Sequence, residues 1–289
     1  MDQNKRRALL TAVELGNLTR AAETLGYTQS GLSYLIKSLE QELGFPLLVR
    51  SRTGVRPTAD CLTVLPYLRE LERKTQQLKQ VAADIRGLVT GTVSIGVFPC
   101  ISRFWLPRIL QDFNAKYPGI SVHILESGQD DLDQWLLDGA IDLAFCSRGP
   151  TDVAQWVQFT QDGIFAVVPA RHPLASREEI YLSELDGEPF IREASYDYDI
   201  PILMEQAGFQ PNIRWSSKDE LAILALVGAG LGVTIMPGLY LQEALPGVKV
   251  LPLIPRAYRQ MGAYVPRGED LSPAAKRFLE SARITMGVK

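Results

Sequence analysis

Residues 18–40 hold the pattern that most limits what this chain can fold into: two short helices joined by a tight turn. In the second helix, apolar residues recur every three or four positions and so share one stripe: Leu32, Leu35, Ile36, Leu39 and Leu43. The other side carries no carboxylate and collects Gln29, Ser30, Ser33, Tyr34 and Lys37. A helix with these two faces suits the major groove of DNA. An ordinary helical hairpin with a solvated polar face is the alternative.

Local helix signals support the same two-helix unit. Thr19 and Thr28 each stand where an N-cap hydroxyl would accept a hydrogen bond from the first helical turn. Gly26 stands where the first helix must end and reverse, a position that favours positive φ. The small Ala21 and Ala22 allow a second helix to cross closely.

A β-hairpin wing is predicted directly after these helices. Strand-like runs at residues 47–50 and 55–57 flank a polar turn at residues 51–54. The hairpin carries Arg50, Arg52 and Arg56, which beside a helix-turn-helix would contact phosphates or enter the minor groove. A surface hairpin with solvated charges is the alternative.

A long helix is predicted from the Thr58 cap to about residue 86. Its apolar positions alternate by three and four, which is a heptad seam: Val64, Leu68, Leu71, Thr75, Leu78, Ala82 and Ile85. Pro66 is expected to bend its first turns, and residues 87–91 to act as a hinge. The seam favours pairing with a second copy of the chain, while packing on its own domain stays open.

Composition narrows the class of protein. A chain of 289 residues predicts two or three domains. It has neither an apolar N-terminal run nor a run of membrane-spanning length, which argues against secretion and membrane insertion. Three cysteines without metal-ligand spacing fit a reducing cytoplasm. Residues 1–58 carry a net charge of +3, which leaves −6 for the rest of a chain whose net charge is −3. A basic head on an acidic body supports DNA binding by the head.

From residue 92 onward, strands and helices alternate, which predicts a parallel sheet covered by helices. The predicted strands are residues 93–98, 120–125, 141–146, 164–169, 189–192, 213–216, 231–235 and 263–265. The predicted helices are residues 104–116, 132–137, 217–228 and 272–283. Ser217 and Glu220 are expected to form a capping box, and Ser272 to cap the last helix.

The chain resembles the LysR-type transcriptional regulators over essentially its whole length. The specific part is the N-terminal motif Ala-Ala-x-x-Leu…Gln-Ser…Leu-Ser…Ile-Lys-x-Leu-Glu-x-Glu-Leu-Gly…Leu-Leu-Val-Arg. The resemblance implies an α/β protein with an N-terminal all-α winged helix-turn-helix and a long linker helix. The remainder would be a two-lobed, Rossmann-like effector domain of the type II periplasmic-binding-protein kind.

The resemblance also implies domain limits. The DNA-binding domain would span residues 1–58, the linker helix and hinge residues 59–90, and the effector-binding domain residues 91–289. Crossovers near residues 161–164 and 262–265 would then make lobe I from residues 92–162 and 264–289, and lobe II from residues 163–263.

The family places its DNA contacts on the second helix and the wing. This implies contacts by Thr28, Gln29, Ser30, Ser33, Tyr34, Lys37, Arg50 and Arg52. Gln29 could hydrogen-bond adenine, and Lys37 could reach guanine or a phosphate. The implied partners are double-stranded promoter DNA, RNA polymerase and further copies of the chain, in a homodimer through the linker helix or in a homotetramer. One departure is Cys61, where many relatives carry glycine.

The effector cleft is expected beyond the carboxyl ends of the strands, where ligands settle in open α/β sheets. No cofactor is implied, and the ligand is a small organic effector of unknown identity. Strand ends and the resemblance select Phe98, Cys100, Ile101, Ser102, Gly128, Cys146, Ser147, Arg192, Ser195, Tyr196 and Thr234. Alternatively, Cys100 and Cys146 are small core residues and Phe98 a packing aromatic.

Two features bear on the effector's chemistry. Phe98 and Pro99 stand where many relatives carry smaller or polar residues, which indicates a partly apolar or aromatic ligand. The acidic, aromatic residues 196–199 near Arg192 could favour an amphoteric ligand, although a solvated loop is the simpler interpretation.

Three other functions compete with transcription regulation. A solute-binding protein would share the fold but not the basic head. An enzyme would need a catalytic motif; the chain lacks a P-loop, a nucleophile elbow and a metal cluster, and offers only His123 and His172 as imidazole bases. A redox sensor would use Cys100 and Cys146, which are predicted at two strand ends of one lobe.

Overall fold

The computed structural model describes residues 2–51, 54–151, 153–194, 198–242, 246–266 and 271–288. The chain divides into two compact units. Unit 1 comprises residues 1–91 and 137–141, and unit 2 comprises residues 92–136 and 142–289.

Unit 1 begins with three helices: α1 (Gln3–Leu15), α2 (Leu18–Leu25) and α3 (Gln29–Leu43). Thr28 caps α3 as predicted, since its side chain accepts a hydrogen bond from Gly31 N. The prediction for Thr19 is wrong, because α2 starts two residues earlier than a Thr19 cap implies and its cap is Asn17, whose Oδ1 accepts from two backbone amides. Gly26 ends α2 at φ 71°, in the left-handed region expected for this turn.

The apolar stripe of α3 forms the centre of this unit. Leu32 and Leu39 are completely buried and Ile36 nearly so, against apolar residues of α1 and α2. Leu35 and Leu43 are partly buried against the same core. The helical periodicity therefore identified the buried face of α3 correctly.

The wing consists of two antiparallel strands, β1 (Leu48–Ser51) and β2 (Gly54–Pro57). Val55 N donates to Gly16 O at 2.8 Å, which ties the wing to the end of α1. Gly54 has φ +134°, and a Cβ added there would lie 2.1 Å from Gly16 O. This close approach of two backbones requires glycine at position 54.

The long helix α4 spans Ala59–Ile85 and is capped by Thr58, as predicted. Its first turns are packed on the core of unit 1 through Cys61, Leu65 and Leu68. Beyond them the seam is open: Leu71, Leu78 and Ile85 are 46%, 68% and 82% exposed. Apolar packing on the chain's own domain thus occupies the first turns, and side-chain hydrogen bonds from Arg6 to Thr75 and between Gln3 and Lys79 extend the contact with α1 beside the exposed leucines.

Unit 2 is built from alternating strands and helices. Its strands are β3 (Gly91–Val97), β4 (Ile120–Glu126), β5 (Leu143–Ser147), β6 (Ala154–Pro169), β7 (Ile180–Tyr181), β8 (Pro189–Glu193), β9 (Asn212–Ser217), β10 (Thr234–Pro237) and β11 (Val248–Pro266). Its helices are α5 (Pro99–Phe104), α6 (Leu106–Lys116), α7 (Gln129–Leu137), α8 (Asp199–Gln206), α9 (Glu220–Gly228) and α10 (Pro273–Thr285). Short 3-10 turns occupy Pro173–Ser176, Leu182–Leu185 and Gly238–Leu241.

The main sheet of unit 2 is mixed, with the order β10-β6-β11-β5-β3-β4. The predicted parallel pairing holds for β3 with β5 and for β8 with β9. It is wrong for β11, which pairs antiparallel with both β5 and β6, and for β10, which pairs antiparallel with β6. Strand direction depends on these long-range pairings, which the local alternation does not encode.

Strands β6 and β11 are long enough to belong to two halves of unit 2. One half contains β3, β4 and β5, with β5 pairing β11 at Met261–Tyr264. The other half contains β8, β9 and β10, with β10 pairing β6 at Ile164–Val167. We call these halves lobe I and lobe II. Two continuous strands thus connect the lobes.

Several helix limits differ from the predictions. The helix expected at residues 104–116 is α6, which begins two residues later, at Leu106, with Pro107 in its first turn. The short helix α5 that precedes it was not predicted. The cap of α9 is Asp219 rather than Ser217, since the Asp219 carboxylate accepts from Leu221 N and Ala222 N. Ser272 caps α10, as predicted. No described helix has the length and apolarity needed to cross a membrane.

Candidate functional site

The exposed face of α3 carries the side chains predicted to contact DNA. Gln29, Ser30 and Lys37 are exposed, and Tyr34 is 73% exposed. Ser33 is half-buried where α3 meets the wing. Thr28 Oγ1 caps the helix and lies 3.1 Å from Ser30 Oγ, so these two hydroxyls form part of the cap.

Arg50 joins the wing to this face of α3. Its Nη2 donates to Ser33 Oγ at 3.2 Å, which holds the guanidinium beside the exposed side chains of the helix. Arg56 is also exposed on the wing, whereas Arg52 lies outside the described residues. Cationic and hydroxyl groups of α3 and the wing therefore lie on one surface. Such a surface suits binding to the phosphate backbone of DNA next to one of its grooves.

Glu40, which was not among the predicted site residues, positions the wing. Its Oε1 accepts from the backbone amides of Leu47 and Leu48 at 2.8 and 3.3 Å. The carboxylate of α3 is thus bound to the start of the wing. The signal in the sequence is weak, because Glu40 is one of two acids, with Glu42, near the end of a helix that a hairpin closely follows.

In lobe I, the segment after β3 is mostly buried. Phe98, Cys100 and Ile101 are at most 5% exposed. In this structure they therefore pack as core residues, which was the alternative to contact with the effector. Ser102 is half-buried, and its hydroxyl donates to Glu126 at the end of β4.

A buried ion pair lies where the two long strands pass between the lobes. Arg259 on β11 is 1% exposed, and its Nε donates to Asp162 Oδ2 on β6 at 3.0 Å. Its Nη2 lies 3.5 Å from Cys100 Sγ. The Arg259 guanidinium carbon is 6.0 Å from the centre of the Tyr240 ring. Burial raises the pKa of Tyr240 far above its ordinary value, and a hydrogen bond to Glu220 acts in the same direction.

The start of α7 collects hydrogen-bond acceptors in lobe I. Gln129 is 1% exposed, and its Nε2 donates to Asp133 Oδ1 at 2.7 Å. Within the described part of the chain, its buried Oε1 has no hydrogen-bond partner. Burial raises the pKa of the Asp133 carboxyl above its ordinary value. The neighbouring Gly128, which was predicted to contact the effector, is half-buried, whereas Gln129 was not predicted.

Tyr198 connects lobe II to this cluster. Its hydroxyl donates to Asp130, and this hydrogen bond, with a smaller contribution from burial, raises the pKa of Tyr198 to about 12. A Cβ placed on Gly149 would lie 3.4 Å both from Gln129 Cδ and from Tyr198 Cδ2. Gly149 therefore lies between side chains of the two lobes.

The remaining predicted effector residues are dispersed. Cys146 and Ser147 are buried in β5, and Thr234 is buried with its hydroxyl donating to Ile191 O at 2.7 Å. Arg192 is exposed at the end of β8. Ser195 and Tyr196 lie outside the described residues. The parallel pairing of β3 with β5 places Cys146 beside the segment that holds Cys100, and the Ser102–Glu126 hydrogen bond links that segment to the end of β4, next to Gly128. Thr234 lies in lobe II, apart from these residues.

A cavity of about 650 Å³ adjoins the acceptor cluster of α7. Its lining includes Gly149, Thr151, Trp156 and Tyr264 together with the guanidinium-bearing Arg148. The rings of Trp156 and Tyr264 are 4.8 Å apart and tilted. Thr151 also hydrogen-bonds Asp133. This volume is within the usual range for small-molecule sites.

Comparison with known proteins gives two family matches. Residues 4–62 match the bacterial regulatory helix-turn-helix protein, lysR family, and residues 86–286 match the LysR substrate binding domain. A relative, the uncharacterized HTH-type transcriptional regulator YvbU of Bacillus subtilis, is 29% identical over 98% of each chain.

Two solved structures have the same fold over almost the whole chain. A full-length OxyR variant from Pseudomonas aeruginosa has a TM-score of 0.79 at 20% identity, covering 99% of this chain and 94% of its own. Full-length CbnR, complexed with its target DNA, has a TM-score of 0.67 at 24% identity, covering 99% of this chain and 100% of its own.

Proposed function

The chain belongs to the LysR family of DNA-binding transcriptional regulators, and from this premise we propose that it binds promoter DNA as an oligomer under the control of a small organic effector. Unit 1 carries the DNA-binding surface and unit 2 the effector site. RNA polymerase is the further partner that this function requires.

DNA recognition is assigned to α3 and the wing. The observation that carries this assignment is the contact between Arg50 and Ser33, which gathers a guanidinium, hydroxyls, a phenol and an ammonium on one exposed surface. The proposed contacting side chains are Thr28, Gln29, Ser30, Ser33, Tyr34, Lys37 and Arg50, together with Arg52, which lies outside the described residues. In this arrangement α3 enters the major groove, and the wing holds phosphates that fix its register.

Dimerisation is assigned to the exposed seam of α4. Leu71, Leu78 and Ile85 follow one another at intervals of seven residues, so they share one line along the helix. Such a line of exposed apolar side chains is expected to be covered in the working protein. A second copy of α4 offers the same line in return, which gives the self-complementary contact of a dimer. Two dimers would then form the homotetramer.

The effector site is assigned to unit 2, near the strand ends of lobe I where Cys100, Ser102 and Gly128 lie. The other side chains proposed to contact the effector are Phe98, Ile101, Cys146, Ser147, Arg192, Ser195, Tyr196 and Thr234. A ligand that binds one arrangement of the lobes better than another shifts the population toward that arrangement. The same shift changes the spacing of the paired DNA-binding heads and thereby the bend of the DNA.

A gel-shift titration with the DNA upstream of the protein's own gene tests this function. Replacing Ser33 and Lys37 together by alanine should weaken binding at least roughly tenfold, since both groups are lost from the DNA face. Lys249→Ala is the matched control, because it removes one exposed ammonium from unit 2. Equal affinity of the double variant and the unaltered protein would refute the assignment of α3.

A further inference from the structure

Lobe II holds a cavity of about 340 Å³, which is lined by residues of β8, β9, β10 and α8. Its most buried lining residues are Phe190, Phe209 and Ile235, which are at most 4% exposed and belong to the core of the lobe. Met204 of α8 and Ile213 of β9 extend this apolar lining, and Ile213 is 43% exposed. The cavity therefore joins the apolar core to the surface, and its volume suits a small organic molecule.

Arg192 and Glu205 bring opposite charges to this cavity. Both side chains line it and both are exposed, Arg192 near the carboxyl end of β8 and Glu205 near the end of α8. Within the described part of the chain, no ion pair joins Arg192 to Glu205. Each charge is thus available to a ligand that reaches the cavity from solvent.

A second carboxylate, that of Glu193, belongs to the other face of β8. Successive side chains of a strand point to opposite faces, so Arg192 shares the face of Phe190, whereas Glu193 shares that of Ile191. Ile191 packs in a different apolar cluster, together with Tyr240. Burial and, to a smaller extent, the nearby Glu193 carboxylate raise the pKa of Tyr240. The charge of Glu193 therefore acts on that face, which leaves one cation and one anion for the cavity.

An α-amino acid with an apolar side chain matches this combination of groups. Its carboxylate would accept two parallel hydrogen bonds from the Arg192 guanidinium. Its ammonium would lie beside the Glu205 carboxylate, and its side chain would be covered by the apolar lining. An apolar acid without the ammonium would leave Glu205 unpaired, and an apolar amine without the carboxylate would leave Arg192 unpaired.

We propose that lobe II binds an α-amino acid with an apolar side chain in this cavity, with the carboxylate on Arg192 and the ammonium beside Glu205. This site goes beyond the proposed function, because its lining residues all belong to lobe II. The effector site is assigned to the strand ends of lobe I, and Arg192 is the one residue common to both sets.

Three compounds with one carbon skeleton test the two charges: leucine, 4-methylpentanoate, which lacks the ammonium, and 3-methylbutylamine, which lacks the carboxylate. Phenylalanine, 3-phenylpropanoate and 2-phenylethylamine repeat the test with a larger side chain. Calorimetry with the full chain should show binding of leucine, phenylalanine or both. Each analogue should bind roughly tenfold more weakly than its amino acid, because it lacks one hydrogen-bonded charge. Glycine should not bind, since it has no side chain to fill the apolar part.

Arg192→Gln and Glu205→Gln test the location of the site. Each should weaken amino-acid binding roughly tenfold, and the exposure of both side chains means that the fold should tolerate the changes. Arg214→Gln and Glu178→Gln are the matched controls, since each removes an exposed charge of the same sign elsewhere in unit 2. Both controls should leave the affinity unaltered.

Four results would overturn the inference: no binding of either amino acid, an analogue that binds as tightly as its amino acid, equal weakening by the controls, or weakening by Arg192→Gln without weakening by Glu205→Gln. The last result would place the ligand at the effector site instead, because Glu205 belongs to the lobe II cavity only. The gel shift without ligand judges the proposed function separately, so DNA binding by a chain that binds neither amino acid would reject the lobe II site alone.

Discussion

Arg50 Nη2 on the wing lies 3.2 Å from Ser33 Oγ on α3, so the two elements that would contact DNA are joined through a hydrogen bond on the contacting surface itself. The wing is held at its base by a second contact, between the Glu40 carboxylate and the amides of Leu47 and Leu48. The arrangement of helix and wing is thus fixed before DNA arrives, which lowers the ordering cost of binding.

Arg50→Ala should weaken DNA binding. It should also reduce the slope of log affinity against log salt concentration by about the amount that one phosphate contact contributes. The cause is the loss of one guanidinium beside the groove. Gel shifts at several salt concentrations measure both effects. Arg214→Ala, an exposed arginine of β9, provides the matched control. An unchanged slope would show that Arg50 contacts no phosphate.

Leu78→Asp should dissociate the dimer, because it places a carboxylate in the middle of an apolar seam. Leu78 is 68% exposed, so the fold of unit 1 should tolerate the change. Light scattering of the full chain gives the mass. Leu62→Asp makes the same substitution at another exposed leucine of α4, off the seam, and should keep the mass. If both variants keep it, the seam is not the dimer contact.

Gly54→Ala should destabilise unit 1 by about 1–3 kcal/mol, because the new Cβ would meet Gly16 O and the backbone would be strained at positive φ. Denaturant unfolding measures the free energy. Gly208→Ala also substitutes a glycine at positive φ, but nothing lies within 4 Å of the added carbon, so the cost should be smaller. An equal loss of stability in the two variants would mean that the close approach to Gly16 does not add to the cost of Gly54→Ala.

Tyr198 should titrate late, since its hydrogen bond to Asp130 raises the pKa of the phenol from 10.0 to about 12. The protonated phenol is favoured in the folded state. Its contribution to stability is therefore complete below about pH 10 and is lost as the pH rises toward 12. The tyrosinate absorbance of the unaltered protein and of Tyr198→Phe should differ by one late-titrating group. A difference centred at pH 10 would argue against the cross-lobe hydrogen bond.

Local patterns predicted unit 1 well. The stripe of α3 and the Thr28 and Thr58 caps depend on residues within one or two helical turns, and the sequence shows them directly. Asn17 and Thr19 illustrate the limit, because two good capping residues lie within three positions and only the geometry decides between them.

Long-range relationships could not be predicted in the same way. β11 runs from Val248 to Pro266, whereas its pattern was recognised only at residues 263–265, because prolines interrupt the earlier part. The Asp162–Arg259 pair joins residues 97 positions apart. The burial of Gln129 likewise results from packing in unit 2, while its own neighbours along the chain are acidic and solvent-friendly.

The passage of β6 and β11 through both lobes separates two kinds of evolutionary change. Any rotation of one lobe against the other must twist these two strands, and the buried Asp162–Arg259 pair sits on them. Substitutions of Asp162 or Arg259 would set how strongly the protein favours one arrangement of the lobes in the absence of ligand. Substitutions of the side chains proposed to contact the effector would set which molecule is sensed. A lineage can therefore acquire a new inducer while keeping its switching threshold, or become constitutive while keeping its chemical preference.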